Sequence, residues 1–220
     1  MNCQTQEQYQ EIKLFNSGIT KAQIFSDIFH ETKRDIEVLI NNNTNGVIEN
    51  QYTYMLPSKI LNFITAVTND YVNRFEFASD FGNSQIEFKV SQVSKINVQK
   101  KYEFRSSDYN GDHSIEWILF MQIPYNSNDE HRMSKVIETG TDFTSKLEFV
   151  YNTYNFGTKS HCIELDKNIE GTLLMYPAYL KNTMYPFYTS DDYRVFLTGK
   201  IWTLNPQKKY VTGRHSDAWL

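Results

Sequence analysis

Cysteine, net charge and long apolar runs are scarce in this 220-residue sequence, and each scarcity excludes a class of protein. There are two cysteines, and Cys3 lies in a polar N-terminal tail, so we expect free thiols in a reducing compartment rather than a disulfide. No apolar run approaches the length of a transmembrane helix, and residues 1–10 are too polar for a signal peptide. The net charge is -4 with scattered basic residues, whereas nucleic-acid binding needs a clustered basic face. These features predict a cytoplasmic protein that binds neither membranes nor nucleic acid.

Motifs of several enzyme classes are missing as well. The sequence has no Gly-rich phosphate loop, no nucleophile elbow and no Cys/His spacing typical of a zinc site. Aromatic residues, in contrast, are abundant, at 15% of the chain, with 15 Tyr and 15 Phe. Because aromatic side chains favour half-buried, pleated surfaces, this composition indicates β structure.

Two helices are expected in the first third of the chain. The first follows a cap at Ser17 or Thr20 and ends at the Asn-rich loop of residues 41–46. Pro57 opens the second helix, whose apolar residues recur three and four positions apart. These residues are Ile60, Leu61, Ile64, Val67 and Tyr71.

Beyond Phe77 the helical period is replaced by strand-like runs separated by turns. One run, 115–123, is almost continuously apolar, as in a strand that is covered on both faces. The runs span residues 86–98, 115–123, 147–154, 161–165, 172–176 and 193–202. We therefore expect an α+β, mainly β domain with helices packed on a sandwich or small barrel. Its parts are an N-terminal tail, a helical segment, a β core and a C-terminal tail, at residues 1–16, 17–76, 77–205 and 206–220.

The stretch 171–186 is the most informative in the sequence. It reads GTLLMYPAYLKNTMYP and resembles the C-terminal half of Fe(II)/2-oxoglutarate oxygenases, in particular short proteins of tailed phages such as cyanophages. That family has a Gly, an apolar strand, Phe-Pro, the second metal-binding His, a later Pro and an Arg in the next strand. In this resemblance Tyr176 and Pro177 take the Phe-Pro place, Asn182 takes the place of the His, and Arg194 that of the Arg.

A second stretch resembles the strand pair that carries the first metal motif of the family, His-x-Asp or His-x-His. It consists of residues 99–104 (QKKYEF) and 117–124 (WILFMQIP). The best alignment puts Asp108 and Asn110 at the motif. The resemblance implies that the β core is a double-stranded β-helix, or jelly roll, preceded by the two helices.

The resemblance also implies a degenerate metal site. A non-haem Fe(II) site needs two His and one carboxylate on one face of the iron. The aligned positions carry Asp108, Asn110 and Asn182 instead, and a neutral amide is a poor ligand beside imidazole. The family places a Ser or Thr two residues after the Arg, and this sequence has Phe196 there.

Alternative roles remain for several of these residues. A shifted alignment would supply Asp112, His113 and His161 as metal ligands, although His113 also fits a turn and His161 a packed strand position. The resemblance implies co-substrate binding by Arg194 and Tyr176. The alternative for Arg194 is a structural ion pair with a neighbouring carboxylate, Asp191 or Asp192.

The function expected from this resemblance is that of a non-catalytic, oxygenase-like jelly-roll protein in a phage. It would act as a structural or interaction protein, such as a virion or assembly component in the host cytoplasm, contact other viral or cellular proteins or form a homo-oligomer, and need no cofactor. Two alternatives stay open. One is an active hydroxylase that uses Fe(II) and 2-oxoglutarate with a non-standard ligand set, and the other is a jelly roll that binds a small ligand or sugar.

Overall fold

The computed structural model describes residues 18–42, 49–75, 87–106, 113–133, 142–153 and 157–204. These ranges contain three α-helices, α1 (Ser26–Asn42), α2 (Ser58–Arg74) and α3 (Ser127–Met133), and a 3-10 helix at Lys167–Ile169. They also contain eleven strands: β1 (Thr20–Gln23), β2 (Gln51–Met55), β3 (Glu87–Val90), β4 (Val93–Gln99), β5 (Arg105–Ser106), β6 (Ile115–Gln122), β7 (Lys146–Thr153), β8 (Gly157–Glu164), β9 (Thr172–Pro177), β10 (Lys181–Met184) and β11 (Arg194–Leu204).

The strands form two antiparallel sheets. In the larger sheet the order is β1-β9-β6-β11-β4-β2, and β3 pairs with the far half of β11. In the smaller sheet the order is β5-β10-β7-β8. The expectation of a mainly β domain is therefore confirmed for the described residues, and the structure adds that both sheets are antiparallel.

The central strand β6 of the larger sheet is covered on both faces, and since alternate residues of a strand point to opposite sides, its side chains enter two different clusters. On β6, Trp117 and Leu119 belong to the apolar cluster that includes α1 and α2. Their neighbours Ile118 and Phe120 belong to a second cluster, shared with the smaller sheet. The continuous apolar run of β6 thus becomes a strand covered on both sides, as predicted.

Helix α2 covers one face of the larger sheet. It starts directly after Pro57, and its residues Ile60, Ile64 and Tyr71 are fully buried. Each side chain of this size contributes about 1.5–3 kcal/mol of hydrophobic stabilisation when it is buried. The Tyr71 hydroxyl also donates to the Gly18 carbonyl oxygen at 2.9 Å, which connects the helix to the chain before β1.

The segment expected to be helical, 17–76, differs from the prediction in two ways. It contains strands β1 and β2 as well as the two helices, and α1 begins at Ser26 rather than after Ser17 or Thr20. The tails 1–16 and 206–220 and the expected boundary near Phe77 lie outside the described residues. In the part of the chain that the structure describes, no helix is both long and apolar enough to cross a bilayer.

Candidate functional site

The face of the larger sheet that meets the smaller sheet opens into a cleft of about 480 Å³. At one end this face is exposed, at Gln51 and Thr53 of β2 and at Lys95 of β4. Side chains at paired positions of β2, β4, β11, β6 and β9 form one wall. The short strands β5 and β10 contribute the opposite side with Arg105, Ser106, Asn182 and Met184.

Asn182, at the position aligned with the second metal-binding His, is buried on β10 and lines this cleft. Its Nδ2 donates a hydrogen bond to the Tyr176 hydroxyl at 3.0 Å. Tyr176 lies opposite Glu116 on the neighbouring strand and hydrogen bonds with its carboxylate. Burial, and then the charge of Glu116, raise the pKa of Tyr176 well above its ordinary value, so its hydroxyl stays protonated and donates to Glu116.

His113 completes this network from the other end. Its side chain is fully buried, and its Nε2 lies 2.7 Å from Oε1 of Glu116. The result is a continuous chain of hydrogen bonds from His113 through Glu116 and Tyr176 to Asn182. This chain runs from the beginning of β6 in the larger sheet to β10 in the smaller sheet, so it ties the two sheets together across the cleft.

Arg194 is fully buried and is surrounded by protein groups. Its NH1 donates to Gln99 Oε1 at 2.7 Å and to the Tyr185 carbonyl oxygen at 3.0 Å. Its NH2 donates to the hydroxyl of Tyr125, and the guanidinium lies 5.2 Å and 5.1 Å from the ring centroids of Tyr125 and Phe187. Burial lowers the pKa of Arg194. The described residues that line the cleft do not include it.

These contacts identify the structural partners of Arg194 as two polar side chains and a carbonyl, where the sequence offered Asp191 or Asp192. Asp191 instead accepts a hydrogen bond from Lys101 at 3.0 Å. The reason is spatial: Arg194 points inward at the start of β11, whereas both carboxylates lie exposed in the preceding loop. Gln99 is 95 positions away in sequence, so no local pattern reveals it.

Phe196 and Arg105 form a pair that the sequence did not predict. Phe196 is buried on the cleft face of β11, and the Arg105 guanidinium lies over its ring at 5.4 Å from the centroid. Arg105 NH2 also donates to Oδ1 of the fully buried Asn97. Arg194, Phe196 and Thr198 alternate on the same face of β11, and of these three Phe196 and Thr198 line the cleft while Arg194 is fully buried.

The remaining candidate residues are not brought together among the described residues. Asp108, Asn110 and Asp112 lie outside them. His161 is exposed on β8, opposite Phe149 in the smaller sheet, whereas His113 precedes β6 in the larger sheet. Within the described ranges, no group of three His, Cys, Asp or Glu side chains is placed to hold a metal ion.

An Fe(II) ion therefore does not fit the described side chains. The iron site of the oxygenases uses two imidazoles and a carboxylate. Here the amide of Asn182 is turned with its Nδ2 towards Tyr176, and the Nε2 of His113 is taken by Glu116. The amide nitrogen of Asn182 has no lone pair to offer a metal, its amide oxygen is a weak neutral ligand beside imidazole, and the Nε2 of His113 is hydrogen bonded to Glu116.

Comparison with known proteins identifies the fold. No family model matches the sequence, and no curated protein matches it. Among solved structures, a Pseudomonas putida prolyl-4-hydroxylase matches with a TM-score of 0.53 and 11% identity, over 86% of this chain and 95% of that chain. A Trichoplax adhaerens prolyl hydroxylase, in complex with a hypoxia inducible factor peptide, matches with a TM-score of 0.52 and 12% identity, over 90% and 88%. The chain therefore has the fold of these Fe(II)/2-oxoglutarate oxygenases.

Proposed function

We propose that this protein is a non-catalytic protein with the oxygenase fold, and that its cleft binds a small polar ligand instead of iron. The observation that carries the proposal is the hydrogen-bond chain from His113 to Asn182. It uses two residues of the candidate ligand sets, His113 and Asn182, as internal structural partners of Glu116 and Tyr176.

The position of Arg194 supports the same conclusion. In the resemblance this residue holds the distal carboxylate of the co-substrate. In the structure its NH1 donates to Gln99 and to the Tyr185 carbonyl and its NH2 to Tyr125, and the cleft is lined by Phe196 and not by Arg194. A buried cation needs such partners because it has lost its water shell. Arg194 thus serves the core of the domain.

The shape and lining of the cleft favour ligand binding over a purely structural role. Its volume of about 480 Å³ is within the range of small-molecule sites. Its wall carries polar side chains from several strands, including Gln51, Thr53 and Thr198. The proposal therefore keeps the non-catalytic part of the sequence interpretation and replaces the virion or assembly role with recognition of a ligand.

The experiment is a titration of the purified protein with Fe(II), under anaerobic conditions, or with Mn(II), in the presence of 2-oxoglutarate. Bound metal is measured by calorimetry, and succinate release is followed after oxygen is admitted. We expect no stoichiometric metal uptake at micromolar concentration and no succinate. Uptake with uncoupled turnover would contradict the proposal and favour an active hydroxylase with a non-standard ligand set that includes His113. In that case His113→Gln would abolish the uptake, while an exposed control, His30→Gln, would leave it unchanged.

A further inference from the structure

The edge strand β2 presents one row of outward-facing backbone groups. Among the described residues, β2 is the last strand of the larger sheet and pairs with β4 alone. At one end of this ladder the Leu56 N–H donates to the Gln92 carbonyl oxygen at 2.9 Å, and at the other end the Asn50 carbonyl oxygen accepts from the Val98 N–H at 3.0 Å. Because hydrogen-bonded pairs alternate in an antiparallel ladder, even-numbered residues of β2 bond to β4 and odd-numbered residues face outwards. The outer row consists of Gln51, Thr53 and Met55.

The side chains of this outer row are neutral and exposed on the cleft face, whereas Tyr52 and Tyr54 between them are buried in the cluster that includes the helices. Edge strands are usually protected from association by a lysine, another charge or a proline. The strands that end the two sheets elsewhere carry such a charge: Lys21 in β1, Arg105 in β5 and Lys159 in β8. Residues 51–55 contain neither a charged residue nor a proline. Of these four edges, β2 is therefore the one best suited to pair with another strand.

A second copy of the same strand fits this edge in one register. A twofold axis perpendicular to the sheet keeps the side chains of both copies on the same face. With the axis at Thr53, Gln51 lies opposite the partner subunit's Met55, and every outward-facing residue of β2 enters a hydrogen-bonded pair. An axis one residue further on, at Tyr54, would place Pro57 opposite Gln51, and proline has no N–H to donate. The register centred on Thr53 thus uses the whole outer row.

The surroundings of the edge are compatible with this pairing. The nearest charge on the cleft face is that of Lys95, which lies beside Thr53 but one strand behind the edge. The two copies of this lysine are then three strand spacings apart, about 14 Å, which exceeds the screening length of about 8 Å at physiological salt. Met55, which is 64% exposed, lies beside Val93, which is 46% exposed. An added strand covers the outer side of this apolar pair.

We propose that the protein forms a twofold symmetric dimer by antiparallel pairing of β2 with β2 of a second copy, centred on Thr53. The larger sheets of the two copies join into one continuous sheet across the axis. Because the axis keeps the faces aligned, both clefts open on the same side, and Thr53 of the partner subunit extends the rim that Gln51 and Thr53 form. This inference is independent of the proposed function, since it needs neither a metal-free cleft nor a bound ligand.

The first test is sedimentation velocity of the purified chain over a range of concentrations. We expect one reversible equilibrium between the mass of one chain and that of two, with dissociation on dilution. Thr53→Pro should abolish the dimer. The N–H of Thr53 faces outwards, so this substitution removes a hydrogen bond between the copies and none within the monomer. A chain that stays monomeric at the highest concentration that can be prepared, or a Thr53→Pro variant that still dimerises, would overturn the proposal.

A pair of charged variants tests the register, and it also covers the case in which Thr53→Pro fails to fold. Thr53→Lys and Thr53→Glu each place like charges directly opposite one another across the axis, so each alone should dimerise about fivefold more weakly or worse. Both should fold, because the side chain of Thr53 is exposed. When the two variants are mixed, lysine faces glutamate, and the dimer should form again.

Ser160→Lys is the matched control for these variants. It adds the same charge at an exposed position of β8, the edge of the smaller sheet, and should leave the dimer unchanged. An equal loss of dimer in Ser160→Lys would show that the added charge acts without reference to β2. That result, or a mixture of the two Thr53 variants that fails to associate, would rule out the pairing centred on Thr53.

Discussion

Replacing Tyr176 by Phe removes one oxygen atom from the centre of the hydrogen-bond chain. The ring keeps its place, because it packs edge-on against Phe149 with 4.9 Å between centroids. The lost hydroxyl accepts from Asn182 and donates to the carboxylate of Glu116. A neutral hydrogen bond contributes about 0.5–1.5 kcal/mol and one to a charged group about 1.5–3 kcal/mol. Tyr176→Phe should therefore lower the free energy of unfolding by about 2–4 kcal/mol.

Urea denaturation measures this loss of unfolding free energy. The slope of the free energy against urea concentration should be the same in the variant and the unchanged protein. Tyr185→Phe is the matched control: its hydroxyl donates to Glu148 of the smaller sheet at 2.8 Å from a half-exposed position, where water can replace it. The free energy of unfolding of this control variant should fall by about 1 kcal/mol or less. The double variant with Glu116→Gln should lose less than the sum of the single changes, since the pair is coupled. A loss for Tyr176→Phe no larger than that of the control would refute the role of this network.

Two further predictions concern the core. Gly199→Ala should destabilise the protein by about 1–3 kcal/mol, because its Cβ would lie 2.3 Å from Cζ2 of the buried Trp117; thermal denaturation should show a smaller loss in a Trp117→Leu background. Burial raises the pKa of Tyr125 to about 12 and that of Tyr54 to about 12. Their neutral forms are thus favoured by folding, with stability fully present below pH ~10 and lost as the pH rises towards the folded values, at about 3 kcal/mol for Tyr125. Alkaline titration of phenolate absorbance should show these residues ionising only with unfolding, and their ionisation in the folded protein near pH ~10 would contradict it.

The strands that could be predicted are those whose own residues carry the signal. The run from Ile115 is apolar at every position that the two cores require, so its burial on both faces follows from the sequence itself. Strands β1 and β2 have no such signal. Thr20 pairs with Met175 of β9, and Gln51 pairs with Asn97 of β4. Each of these strands therefore forms by pairing with a strand that is distant in the sequence. Only the assembled sheet supplies that information.

In the candidate site, too, some features could be predicted from the sequence and others could not. The resemblance marked Tyr176 and Asn182 as site residues with separate roles, and the structure joins them by a hydrogen bond. The partners could not be foreseen, because they come from other strands. Glu116, which joins Tyr176 to His113, belongs to a run whose pattern only marked it as one polar position among apolar ones. Arg105 lies on a two-residue strand and carried no periodic signal at all.

Phe196 is the residue that relates the surroundings of Arg194 to those of Arg105. The aromatic ring of Phe196 cannot donate a hydrogen bond to a carboxylate. The buried end of this face of β11 therefore offers no polar contact at this position. The same ring supports the guanidinium of Arg105 at the open end. Arg194 is enclosed with Tyr125 and Phe187, where ring faces, neutral acceptors and the charge of the buried Glu130 stabilise its own charge. Along this face of β11, Arg194 is therefore buried in the interior of the domain, whereas Arg105 lines the cleft beside Phe196.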